Sequence, residues 1–165
     1  MTAKLVLIGP PGAGKTRLGK RVSRIISAPF IDTDRVVVSE HGAIATIFAE
    51  QGEAAFRRYE REAVAQALES EGVVSLGGGA VLDADTQSDL AGLPVVLVTV
   101  SPEAVEGRIG TKRPLLTGGI GSWTALYESR RELYERLAAA TWDTSSRPID
   151  LIAAEIAVWA TEDDA

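Results

Sequence analysis

The stretch Gly9-Pro10-Pro11-Gly12-Ala13-Gly14-Lys15-Thr16 fits the spacing G-x-x-x-x-G-K-[ST], which leaves a chain little freedom in how it folds nearby. Glycines let successive backbone N–H groups turn inward around an anion. The helix that follows adds its positive N-terminal end, and the lysine a mobile charge. The flanks agree with this. Lys4-Leu5-Val6-Leu7-Ile8 is a short apolar strand, and Thr16 to Ile26 carries Leu18, Val22, Ile25 and Ile26 at helical spacing. A strand, a phosphate-wrapping loop and a helix are expected, with Pro11, Gly12, Ala13, Gly14, Lys15 and Thr16 against nucleotide phosphates. The Thr16 hydroxyl would face Mg²⁺.

Composition narrows the setting. A chain of 165 residues that is 45% hydrophobic can bury a core of its own, so a single domain over residues 1–165 is expected. The absence of cysteine excludes disulfides, thiolate chemistry and cysteine-bound metals, and it suits a reducing cytoplasm. A lone histidine, His41, argues against a histidine relay or a histidine-ligated metal; a helix-surface place beside Gly42 is expected for it. Met1 leads straight into a strand and no apolar run approaches the ~18 residues of a membrane span, so neither leader nor span is expected. A net charge of −6 argues against general nucleic-acid binding, so any anion site must be a local cluster.

Beyond the first helix, Ala28-Pro29-Phe30-Ile31 reads as a second strand ending in Asp32-Thr33-Asp34. Carboxylates at a strand's C-terminal edge lie where ligands bind in open α/β sheets; one could hold Mg²⁺ and the other accept a hydroxyl proton. Thr33 or Asp34 could equally cap the helix that begins near Arg35. Ala43 to Gln51 reads as a short amphipathic helix ended by Gly52, and Glu53 to about Glu69 as a longer one. On the latter Phe56, Tyr59, Ala63, Val64 and Ala67 form an apolar stripe, with Arg57, Arg58, Glu60, Arg61 and Glu62 on the polar side. Such charges read either as a solvated face or as a site. Gly72 to Leu76 is a buried-type strand running into Gly77-Gly78-Gly79, glycines that suggest close approach to a ligand or another segment.

A weak helix from Asp83 to Leu90 precedes Pro94 to Val100, the most apolar segment and so an expected central strand. Ser101 and Pro102 open a short helix that ends near Arg108. From Gly110 to Gly121 glycines are frequent and apolar side chains few, which reads as a mobile lid carrying Arg113. A helix from Ser122 to Ala139 is expected to turn Leu126, Tyr127, Leu133 and Leu137 inward. Ala140 to Thr144 reads as a last strand and Pro148 to about Ala160 as a last helix, with an acidic tail over about 161–165. Strands alternating with helices define an α/β fold: a five-stranded parallel sheet with helices on both faces. The phosphate loop, the aspartates and the glycine triplet then share one edge, an arrangement suited to phosphoryl transfer.

At this point the chain resembles the shikimate kinases, small-molecule kinases of the P-loop fold. The marks, in order, are Gly9 to Thr16, Asp32-Thr33-Asp34, Phe56-Arg57-Arg58-Tyr59-Glu60 as F-R-x-x-E, Gly77-Gly78-Gly79, Arg113-Pro114-Leu115-Leu116, and Arg130 four residues before Tyr134. The resemblance spans about residues 4 to 158 and implies transfer of the ATP γ-phosphate to the 3-hydroxyl of shikimate, with Mg²⁺, in aromatic amino-acid biosynthesis. It further implies that Arg57, Arg130 and the Gly78-Gly79 backbone bind the acid, and that Asp34 holds its hydroxyls where a base would sit. Glu60 would fix Arg57, Asp32 would serve the metal with Thr16, Arg113 would meet the γ-phosphate, and Arg108 and Arg147 would border the adenine. A monomer acting on a small molecule is expected. A gluconate-kinase-like enzyme, a nucleoside monophosphate kinase and an ATP-binding module without transfer remain alternatives.

Overall fold

The computed structural model describes residues 2–109 and 119–162. Its elements follow in order: β1 (Leu5–Ile8), α1 (Lys15–Ile25), β2 (Phe30–Asp32), α2 (Thr33–His41), α3 (Ile44–Gln51), α4 (Glu53–Leu68), β3 (Val73–Ser75), a 3-10 turn (Ala80–Leu82) and α5 (Ala84–Leu90). After these come β4 (Val95–Thr99), α6 (Pro102–Ile109), α7 (Gly119–Leu137), β5 (Ala140–Asp143) and α8 (Ile149–Thr161). The five strands form one parallel sheet in the order β2-β3-β1-β4-β5. The Pro94–Val100 segment supplies β4, an interior strand one place from the middle, which β1 occupies.

The unbroken apolar runs of β1 and β4 reflect burial on both faces. Leu5 and Leu7 point into a cluster with Leu18 and Val22 of α1 and with Ile152 and Ile156 of α8. Val6 and Ile8, one residue out of phase, point into a second cluster with Val64 and Leu68 of α4 and with Val81 and Leu90. Removing each of these side chains from water is worth about 1.5–3 kcal/mol before chain entropy is counted. A third cluster, Val37, Ile47, Phe56 and Ala63, joins α2, α3 and α4 beside the sheet.

Two boundaries differ from the sequence reading in instructive ways. Helix α2 is capped by Asp32 rather than by Thr33 or Asp34: its Oδ1 accepts from the Asp34 N–H at 3.0 Å and the Arg35 N–H at 3.4 Å. Thr33 is instead buried, and its hydroxyl accepts from the Gly77 N–H at 3.3 Å. Helix α7 begins at Gly119, so Gly119 to Gly121 are helical rather than loop. Ile120 and Trp123 pack into the first core cluster, and that burial outweighs the poor helix propensity of the two glycines. The rest of the expected lid, residues 110–118 with Arg113, lies outside the described residues, as do 163–165 of the acidic tail. Among the described residues no helix is long and apolar enough to cross a membrane.

Candidate active site

The loops that leave β1 and β3 face each other across the point where the chain switches direction in the sheet, and a cleft of about 900 Å³ opens there. Residues 11–16 of the phosphate loop line it together with Asp32, Asp34, Gly77 and Gly78, and Arg108, Thr144 and Arg147 line it as well. Gly14 takes a left-handed conformation, φ 92°, that turns the loop into the first turn of α1. Lys15 is only 9% exposed. Its Nζ donates to Gly9 O at 2.7 Å and Pro10 O at 3.0 Å. Burial lowers its pKa to about 8, against the opposing pull of Asp34 and Asp32.

The two aspartates occupy different surroundings. Asp32 closes β2, and its Oδ2 accepts from the Thr16 hydroxyl at 2.9 Å while Oδ1 caps α2. Asp34 lies in the first turn of α2, where burial, with Asp32 adding repulsion, raises its pKa above the usual aspartate value. A raised carboxylate is a better proton acceptor than an exposed one. Thr16 Oγ1 and Asp32 Oδ2 form an oxygen-only pair at the phosphate loop, which is donor chemistry that fits Mg²⁺, an ion that leaves most of its positions to water and phosphate. Among the described residues no group of three or more His, Asp or Glu side chains forms a metal cage of its own.

The glycine triplet explains itself by what presses on it. A methyl added at Gly77 would stand 2.5 Å from Asp34 Oδ1, and one at Gly79 2.6 Å from Arg57 Nη1. One at Gly78 would stand 3.1 Å from Pro11 Cδ and 3.6 Å from Arg130 Nη1. Three successive glycines thus let Asp34, Arg130 and Arg57 converge on one turn of backbone. Arg57, Gly79 and Arg130 are not among the residues lining the cleft proper; they stand just past its Gly77-Gly78 end. Arg57 is held from its own helix, with Nη1 2.7 Å from Oε1 of the buried Glu60 and Nη2 3.6 Å from Glu53.

Arg108 and Arg147 border the cleft away from the triplet. Arg108 Nη1 donates to Gly12 O and to the Thr144 hydroxyl, both at 3.1 Å, and Nη2 donates to Thr144 O. Arg147 is paired with Glu155, whose carboxylate also accepts from Trp142 Nε1 at 3.1 Å. Two residues of this region, Thr144 and Trp123, were not singled out from the sequence, and a third, Tyr134, entered there only as the spacing partner of Arg130. Buried Thr144 donates to Ala13 O at 2.7 Å, tying the end of β5 to the phosphate loop. Trp123 Nε1 donates to Pro11 O at 2.8 Å, and Tyr134 Oη to Gly78 O at 2.6 Å. The contacts themselves are not written in the local sequence, because each side chain acts on a backbone carbonyl that only the fold brings near.

A sheet of this order, with a phosphate loop after β1 and carboxylates and arginines gathered around it, defines a P-loop kinase fold for a small acceptor. The shikimate kinase family model matches residues 11–161. The chain is 46% identical over 148 residues to the shikimate kinase of Streptomyces coelicolor, covering 87% of this chain and 86% of that one. It is 44% identical over 153 residues to that of Rhodococcus jostii, covering 89% and 91%. Among solved structures, Acinetobacter baumannii shikimate kinase in complex with shikimate superposes with a TM-score of 0.89 at 26% identity, covering 99% of this chain and 94% of that one. The Aquifex aeolicus shikimate kinase gives 0.81 at 30% identity, covering 97% and 96%. This chain belongs to the shikimate kinase family.

Proposed function

We propose that this chain, working as a single-domain monomer in the cytoplasm with neither nucleic acid nor membrane as partner, transfers the γ-phosphoryl group of ATP to the 3-hydroxyl of shikimate. The observation that carries the reading is the convergence of Asp34 and Arg57 on Gly77 and Gly79, which sets a carboxylate with a raised pKa and a guanidinium along one short stretch of backbone. Arg57 and Arg130 bind the substrate carboxylate with the Gly78-Gly79 backbone, and Asp34 receives the hydroxyl proton. A bond forms between the 3-oxygen and the γ-phosphorus as the bond to the β,γ-bridging oxygen breaks. The products are shikimate 3-phosphate and ADP. Lys15, charged below about pH 8, stabilises the negative charge on the transferring group.

Thr16 and Asp32 would hold Mg²⁺, which supplies neutralisation of the phosphate charge when bound. Arg108 and Arg147 border the adenine. Arg113 meets the γ-phosphate; that role rests on the family resemblance alone. A gluconate-kinase-like or nucleotide-kinase reading gives no reason for F-R-x-x-E beside a glycine triplet. A coupled ADP-release assay over shikimate, gluconate and nucleoside monophosphates, with ATP alone as control, tests the reading. Turnover with shikimate far above the others is expected. Turnover only with another acceptor would replace it, and none at all would leave a binding module.

A further inference from the structure

Helix α7 carries an aromatic run that reaches both halves of the site. Trp123 and Tyr134 are each 1% exposed, and Tyr127 lies between them, with ring centroids 5.6 Å from Trp123 and 6.3 Å from Tyr134. The run crosses the molecule, because Trp123 belongs to the core on one face of the sheet, Tyr134 to the core on the other, and Tyr127 packs against both. Its two ends are also its two polar atoms with partners in the site. Indole Nε1 donates to Pro11 O of the phosphate loop at 2.8 Å, and phenol Oη donates to Gly78 O of the glycine triplet at 2.6 Å. Those two loops touch, since a methyl on Gly78 would stand 3.1 Å from Pro11 Cδ.

The phosphate loop and the glycine triplet are therefore each tied to the same helix by a hydrogen bond, in addition to the bonds that Arg108, Thr144 and Thr33 make to these loops. We propose that Trp123 and Tyr134 are positioning residues that set the separation of the phosphate loop from the glycine triplet, and with it the distance from the γ-phosphate to the accepting hydroxyl. Both side chains are buried and turn their polar atoms to the backbone carbonyls of the two loops. Their effect is on alignment, which phosphoryl transfer depends on steeply. The inference rests on the reading above only in taking the acceptor to bind at the triplet.

The test uses Trp123→Phe and Tyr134→Phe, each of which deletes one donor and keeps an aromatic ring, and the double variant. For each, kcat with the acceptor that wild type uses best is set beside the Kd of ADP alone, the Kd of the acceptor alone, and Tm. Expected are a fall in kcat of roughly tenfold or more, changes in either Kd below about threefold, and a double variant that loses clearly less than the product of the single losses. Because Trp123→Phe also shrinks a buried side chain, Ile156→Val in α8 serves as the comparison for stability. It should lower Tm by roughly 2–4 °C with kcat per folded enzyme unchanged. Unchanged kcat in Tyr134→Phe, losses confined to one ligand's Kd, or losses that track Tm would overturn the proposal. Failure of the shikimate reading shows separately, in which acceptor wild type turns over.

Discussion

Arg57 and Glu60 form an ion pair 2.7 Å long between a half-buried guanidinium and a carboxylate only 4% exposed. Burial pushes the Glu60 carboxyl up while the hydrogen bond and charge of Arg57 pull it down, so the Glu60 charge depends on Arg57, and Arg57 is held in place by Glu60. Glu60→Gln keeps the shape and removes the charge. It should raise the KM for shikimate by roughly tenfold or more, since hydrogen bonds to charged groups are worth about 1.5–3 kcal/mol, and leave the KM for ATP alone. Steady-state kinetics with each substrate varied in turn checks this.

Lys15 costs the free protein stability and returns it in catalysis. A pKa of about 8 against an ordinary 10.5 corresponds to about 3 kcal/mol of disfavoured charge. Between those pH values the unfolded chain binds the extra proton, so this group's contribution to stability rises with pH across that window and is at its lowest below it. Lys15→Met should leave Tm unchanged or raised at pH 7 and cut kcat by roughly a hundredfold or more. In wild type, kcat/KM for ATP should fall above about pH 8 as Lys15, facing Asp34, Asp32 and Arg130, loses its proton. The profile of kcat itself should hold to higher pH, because bound phosphates favour the charged lysine.

Asp32 has two duties that substitution can separate. Asn at position 32 preserves the α2 cap that Oδ1 makes to Asp34 N, yet it weakens the oxygen pair with Thr16. Asp32→Asn should keep Tm and shift the Mg²⁺ dependence to higher concentration. Asp34→Asn should abolish turnover while ATP still binds with Mg²⁺. Magnesium titrations of ADP release, with calorimetric nucleotide binding, distinguish the two.

The triplet makes a prediction of opposite kind at its two ends. Gly79→Ala pushes on the far end of a long side chain, Arg57 Nη1 at 2.6 Å, so the chain should fold nearly as well but bind shikimate roughly tenfold more weakly. Gly77→Ala pushes on the short Asp34 carboxylate at 2.5 Å and should act mainly on kcat. Kinetics and thermal melts of both variants, side by side, check the assignment.

Much of this was legible in the sequence, for identifiable physical reasons. Strand and helix periodicities placed the sheet, Lys15 announced itself through the G-x-x-x-x-G-K-[ST] spacing, and Asp34 through its place just after a strand end. Arg57 was harder: helical spacing alone could not separate it from Arg58, because what singles it out is Glu60, a charge buried by tertiary packing. Trp123 and Thr144 were illegible and Tyr134 was legible only as a spacing partner of Arg130, since the carbonyls they hold, of Pro11, Ala13 and Gly78, are far off in sequence. The start of α7 was misplaced because Gly119 and Gly121 speak against a helix that Ile120 and Trp123 pay for by burial.

The central claim, a carboxylate acid read by Arg57 beside the phosphate loop, is tested most directly by Arg57→Ala assayed on shikimate and on its primary amide. Truncating one side of a desolvated charge pair typically costs about 2–5 kcal/mol, so the variant should raise the KM for the acid roughly thirtyfold or more with ATP binding spared. Wild type should use the amide poorly, and the variant should lose little further on it. Equal losses on acid and amide would show that Arg57 does not read the carboxylate and would contradict the shikimate pose.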